Sequence, residues 1–310
     1  MQNSSSKKYD QIFFYLLKFI SFTIVILLIF IIYKLFNASQ AAIQTFGIQF
    51  IINSDWNPVE DQFGALPFIY GTILTSILAL LVAAPASLLV SIFICFYLNK
   101  KFKRIVSIFI EILASIPSIV YGLWGIFILV PFVKNQIAPL FMTSFPSWSL
   151  FQGPSFGLGI MTASLILSIM IFPTMTSIMR SIFEICPQHL KEASLALGAT
   201  KSEMLFMSVI KSSKSGIISA IVLGLARAVG ETMAVTMVIG NSPQISTSLF
   251  APAATLASVM ANEYTDANNS LHLAALSYMA LILFALTLIF NLLAKTMTYD
   301  FKFWDKNKNG

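Results

Sequence analysis

Charge is scarce in this chain. Asp, Glu, Lys and Arg together make up 10% of its 310 residues, against about a quarter in soluble globular proteins. So few charges exclude a soluble enzyme, a disordered chain and a nucleic-acid binder. Cysteine is scarcer still: Cys95 and Cys186 are too few and too far apart for a disulfide framework, and they read as inert residues of apolar sites. His189 and His272 stand alone, without an HExxH pattern or a cysteine partner, so a metal site is unsupported. No GxxxxGK[ST] motif occurs. Gly198-Ala199-Thr200-Lys201-Ser202 lacks the second glycine, so the chain does not hold ATP in a P-loop. Gly153-Pro154-Ser155-Phe156-Gly157 fits a nucleophile elbow only by accident, since it opens an apolar stretch and not a strand-to-helix turn.

Apolar residues are abundant: 57% of the chain, with a mean hydropathy of +0.83. Six stretches, at about 12–36, 66–98, 105–132, 156–178, 216–239 and 271–293, are long enough to cross a hydrocarbon core of about 30 Å at about 1.5 Å per residue. The expected fold is an all-α polytopic membrane protein with six transmembrane helices. The first stretch is too long for a signal-peptide core and reads as an uncleaved anchor. Pro85, Pro117 and Pro173 fall inside spans, and a break in the third is expected between Ser115 and Ser118.

Basic residues divide unequally between the two sides. The ends, the 100–104 cluster and the segment 179–215 carry sixteen of the nineteen Lys and Arg, the opposite side only Lys34 and Lys134. The positive-inside rule then places both termini in the cytoplasm, and the net charge of +6 needs no nucleic acid to explain it. The segment 179–215 is polar enough for one or two short surface helices, and residues 305–310 read as a disordered tail.

One arginine belongs to neither side. Arg227 lies eleven residues into the fifth stretch, roughly 16 Å deep by helical rise, with Glu231 four residues on. A charge at that depth costs about 2.5–3.5 kcal/mol even on insertion scales. On a continuous helix the two share a face. Either they neutralise one another and fix helix packing, or they line a polar path in which the guanidinium fork receives a tetrahedral oxyanion. In the second case Glu231 accepts a hydrogen bond from a protonated oxyanion or holds Arg227 between passages. Gly216, Ala220, Gly224 and Ala228 form a small-residue stripe on the same helix, which calls for a closely packed neighbour. Ser118, Tyr121, Thr232 and Thr236 are candidate polar lining, or else they satisfy helix backbone. Glu111 reads as a residue reaching the headgroups. Asp55, Glu60, Asp61, Glu263 and Asp266 read as solvated surface.

Glu192-Ala193-Ser194-Leu195-Ala196-Leu197-Gly198 resembles the EAA loop of ABC importer permeases, with Ser194 for the second alanine and Ile210-Lys211 where the family has Leu-Pro. Three further stretches, Arg227 to Asn241 (RAVGETMAVTMVIGN), Phe63–Thr72 and Ala114–Gly125, resemble phosphate-specific (Pst) importer permeases of the PstC type. The resemblance implies a type I importer permease in the bacterial inner membrane. Residues 1–65 would be an N-terminal segment with the first helix and outer loop, and 66–295 the permease domain, with its coupling loop at about 182–215. A cytoplasmic tail would follow at 296–310. It implies a PstA-type second permease, two ATPase subunits that hold the ATP and Mg, and a periplasmic or lipid-anchored phosphate-binding protein, with no cofactor in this chain. Glu192, Ala193 and Gly198 would contact the ATPase, and Arg227 and Glu231 would be the family's intramembrane charges. The sister PstA-type permease, a sulfate or molybdate importer and an ion-coupled secondary transporter are the rival readings. The last would need no EAA loop and would show an inverted repeat, which is not evident.

Overall fold

The computed structural model describes residues 4–267 and 269–308, and among them the regular elements are helices. In chain order the helices are α1 (Ser4–Phe46), α2 (Gln49–Ile52), α3 (Leu66–Phe96), α4 (Lys100–Ser115), α5 (Ser118–Ser144), α6 (Ile160–Ile185), α7 (Gln188–Ala196), α8 (Lys201–Ile210), α9 (Lys214–Val229), α10 (Met233–Val238), α11 (Leu256–Glu263) and α12 (Ser270–Lys308). Among the described residues, α1, α3, α5, α6 and α12 are each long and apolar enough to cross a membrane. A sixth span runs through α9, which is bent by 73° from α8 and stops at Gly230.

Helix α6 is the hub. Its buried positions recur through Ile160, Ala163, Leu167, Ile171, Met175 and Met179, and α3 packs along it. Small residues on α3, at Ala79, Ala83, Ser87 and Ser91, are buried in that contact. Close approach lets side chains of α3 donate to backbone carbonyls of α6, Ser87 to Phe172 at 3.1 Å and Ser91 to Thr176 at 3.0 Å. In a medium without water such bonds keep a polar side chain satisfied between helices. The small-residue stripe of α9 docks on α6 as well: a Cβ added at Gly224 would meet Met175 Sδ at 2.6 Å, and one at Gly216 would meet Ile182 at 2.8 Å.

The two sets of connecting segments gather at opposite ends. At one end Phe50, Phe63, Phe68, Leu256, Val259 and Met279 form a separate apolar cluster. Above it, Trp56 Nε1 and His272 Nε2 both meet the Glu263 carboxylate, at 3.1 and 2.9 Å. Thus Glu263, expected to be solvated, ties the 53–65 segment to α11 and α12. At the other end Lys103 pairs with Glu184 at 3.1 Å, and α7 and α8 lie below the end of α3.

Four further expectations are corrected. The stretch 105–132 is not one span: α4 is a separate amphipathic helix, and α5 starts after a break at Ile116–Pro117. The break falls where the Ser115–Ser118 step predicted it, and Tyr121 Oη donates to Leu113 O across it at 2.8 Å. The stretch 216–239 is not continuous either, because residues 230–232 leave the helix. Glu111 does not simply reach for headgroups, since its Oε1 accepts from Arg180 Nη2 at 2.9 Å. Finally, α12 continues through Lys308, so residues 305–308 are helical, while Asn309 and Gly310 lie outside the described residues.

Candidate translocation site and coupling loop

Arg227 occupies the last turn of α9 and is half-buried. Its Nη1 donates to Thr174 Oγ1 on α6 at 3.0 Å. Thr174 was not singled out in the sequence. The only signal was a hydroxyl directly after Pro173 inside an apolar run. Gly230 caps α9, and its loss of helical geometry carries Glu231 off the face that Arg227 uses. The Arg227–Glu231 pair that one of the two readings required is therefore not made. Glu231 Oε1 instead accepts the Ala234 backbone N–H at 3.2 Å, at the start of α10. A broken helix inside a span leaves orphan backbone groups that hydrocarbon cannot satisfy, and a carboxylate at that point supplies one acceptor.

The other candidate lining residues separate into two kinds. Tyr121 Oη is committed to Leu113 O, and Thr236 Oγ1 donates to Thr232 O at 2.7 Å. Both hydroxyls thus satisfy backbone. Ser118 is half-buried and Thr232 makes only a 3.4 Å contact with Gly230 O, so these two keep hydrogen-bonding capacity. Arg227 and Glu231 share that openness. Neither is enclosed by the described residues, and two half-exposed charges at membrane depth require a polar or protein wall opposite them.

The candidate coupling loop is built to protrude. α7 ends at Leu197, and Gly198 takes φ +85°, a left-handed conformation that costs an L-residue about 1–2 kcal/mol. A Cβ at Gly198 would meet nothing within 4 Å, so the backbone angle and not crowding requires glycine. Glu192, Ala193 and Gly198 are exposed, and Leu197 is 90% exposed at the tip. The serine that replaces the second alanine has its own use, since Ser194 Oγ hydrogen-bonds Ser208 Oγ and binds α7 to α8. Lys201 Nζ donates to Phe96 O at 2.8 Å and sits 4.0 Å over the Tyr97 ring. The loop is thereby fastened to the last carbonyls of α3.

Thr200 opens α8 with a reciprocal cap. Its backbone N–H and its hydroxyl each reach Glu203 Oε2 at 2.8 Å, and the backbone bond first, the hydroxyl second, holds the Glu203 carboxyl below the usual glutamate range. A carboxylate whose folded pKa is depressed supports the cap fully above its unfolded value. That support is lost as pH falls through the folded value. Carbon-13 titration of Glu203 should give a midpoint below that of an ordinary glutamate. Thr200→Val should raise it only part of the way, because the backbone bond remains. A midpoint unchanged by that substitution would mean the hydroxyl contributes nothing.

A family model described as "Binding-protein-dependent transport system inner membrane component" matches residues 83–299. The phosphate transport system permease protein PstC of Mesorhizobium japonicum is 43% identical over 268 residues, covering 85% of this chain and 82% of that one. The chain belongs to the PstC family of inner-membrane transport permeases. The probable PstC protein of Methanocaldococcus jannaschii is 34% identical over 289 residues, with 91% and 90% of the two chains covered. Among solved structures, the methionine ABC transporter MetNI in an inward-facing form aligns with a TM-score of 0.56 over 77% of this chain and 94% of that one. At 17% identity it speaks for the fold alone. As a PstC-family permease the chain is a multi-pass transport subunit and not an enzyme. ATP and Mg act on separate ATPase subunits, and a partner permease completes the membrane part.

Proposed function

We propose that this chain forms one wall of an ATP-driven import path for inorganic phosphate, the other wall coming from a PstA-type permease. The observation that carries the reading is Arg227, half-exposed at the inner end of a broken helix and steadied by a neutral partner. Thr174 orients the guanidinium without cancelling its charge, so most of its donors stay available to an oxyanion. The Gly230 break leaves Glu231 able to accept a hydrogen bond from a protonated oxyanion, with Ser118 and Thr232 as further lining. Arg227 lowers the barrier for the anion near the midplane and must not hold it tightly, because a trapped solute cannot leave.

In this reading the positive-inside bias puts both termini and the coupling loop in the cytoplasm. A periplasmic or lipid-anchored phosphate-binding protein docks at the opposite end, on the segments around Trp56 and residues 240–250. Glu192, Ala193 and Gly198 sit against one of two ATPase subunits. Closure of the ATPase pair then moves α7 and α8, and the Lys201 contact passes the motion to α3 while the covalent links pass it to α6 and α9.

The test is radiolabelled phosphate uptake in cells lacking their own high-affinity importer, with this chain and its cognate partners expressed. Uptake should require the ATPase and resist a large excess of sulfate or molybdate. Equal competition by sulfate would make the path a general oxyanion route. Uptake that survives an inactivated ATPase but collapses with an ionophore would replace this reading with ion coupling.

A further inference from the structure

Helix α4 presents a surface that, among the described residues, no element of this chain covers. Along its length Lys103, Ser107 and Ile110 turn toward α6, where Lys103 and Glu111 pair with Glu184 and Arg180. On the other side Phe102, Ile105, Phe109 and Ile112 recur at three- and four-residue spacing and are 58%, 49%, 62% and 56% exposed. At sixteen residues the helix is about 24 Å long, short of a crossing. One apolar face, one polar edge and a basic end are the marks of a helix lying in the membrane interface.

The basic end is Lys100, Lys101 and Arg104. All three are exposed, and among the described residues they make no ion pair or hydrogen bond. They do not serve the helix itself. Cations in a first turn oppose the helix dipole, no acidic residue accompanies them there, and Asn99 already caps the end through the Phe102 N–H at 3.2 Å. Lys191 and Lys201 add positive charge just before this corner, over the rings of Phe96 and Tyr97. The geometry points to a partner that is apolar along one side and anionic at its edge. We infer that α4 lies in the leaflet and gathers anionic phospholipid headgroups at Lys100, Lys101 and Arg104. A leaflet satisfies both requirements at once, since the acyl chains cover the four apolar side chains and the phosphodiesters meet the three cations.

The test uses the assembled importer in lipid nanodiscs, with Phe102→Trp as a reporter read as a difference from the parent complex. Brominated acyl chains are supplied on phosphatidylglycerol or on phosphatidylcholine in otherwise matched mixtures. The added tryptophan should be quenched by both, and several times more strongly by the brominated phosphatidylglycerol at low salt. The preference should fade as salt shortens the screening length. The combined change Lys100→Gln, Lys101→Gln and Arg104→Gln should remove the preference and keep the quenching. Because it removes cations from a helix start, it does not threaten folding, and Lys101→Gln alone gives a graded check. Equal quenching by the two lipids would overturn the headgroup assignment. No quenching by either would show α4 covered by protein, and would overturn the inference altogether.

Discussion

Replacing Arg227 with glutamine should lower phosphate uptake about 10- to 100-fold while leaving the complex assembled. A hydrogen bond to a charged group contributes about 1.5–3 kcal/mol, and each 1.4 kcal/mol on a barrier is about tenfold in rate. Glutamine retains a donor for Thr174 but removes the charge that offsets the anion's transfer into a low-dielectric path. Arg227→Lys should recover part of the loss, since it restores a point charge without the planar fork. Thr174→Val should cost less than either. It frees the guanidinium, whose Nη1 bond to Thr174 Oγ1 is 3.0 Å long, and leaves the charge in place. Expression-matched uptake, with ATPase activity recorded alongside, decides the matter. Equal uptake by wild type and Arg227→Gln would make the arginine a packing residue.

The largest loss of stability should come from Gly71→Val. A Cβ at Gly71 would lie 2.1 Å from the carbonyl oxygen of Ala254. That oxygen belongs to backbone and cannot swing away as a methionine side chain can. The same junction holds the Leu256 N–H on Thr72 Oγ1 at 3.0 Å and the Thr255–Ser258 cap that starts α11. Overpacking costs about 1–3 kcal/mol where a core can adjust, and a fixed carbonyl puts this site at or above the upper end. Thermal unfolding of the detergent-purified complex should shift down by many degrees, or intact complex should fail to accumulate. Gly198→Ala is the contrast. It strains one left-handed residue in open space, so the unfolding temperature of the bundle should hold while ATPase attachment weakens. A stable Gly71→Val complex would mean that the 240–255 segment yields far more readily than its hydrogen bonds suggest.

Much of this was legible along the chain. Glu192 to Gly198 form a local unit, whose turn and exposure follow from a helix of small residues ended by a left-handed glycine. The break at Ser115–Ser118 was legible because proline removes a donor wherever it stands. Helix α4 is hidden in the sequence because Ile105–Ile112 run on into the apolar stretch of α5. The signal that would have separated them was the recurrence of Lys100, Lys103, Arg104, Ser107 and Glu111 on the other faces. Glycine 230 gave less warning. Between apolar neighbours it reads as one more small residue of a helix, and only the observed cap turns it into a terminus.

Composition and the distribution of lysine and arginine determined by themselves that this is a polytopic membrane protein with unlike ends, one carrying a polar segment with short surface helices, and with one deep arginine between them. Those properties depend on transfer to hydrocarbon and on charge, which add up residue by residue. Tertiary structure decided that Arg227 rests on Thr174, 53 positions away in the chain. It also decided that Glu231 serves the backbone of α10, and that α4 is a helix separate from α5, with one face packed on α6. Each of these depends on which face of a helix meets protein and which meets lipid or an open path. An apolar sequence presents much the same surface to a neighbouring helix as to acyl chains, so only the packing of one helix against another could make that choice.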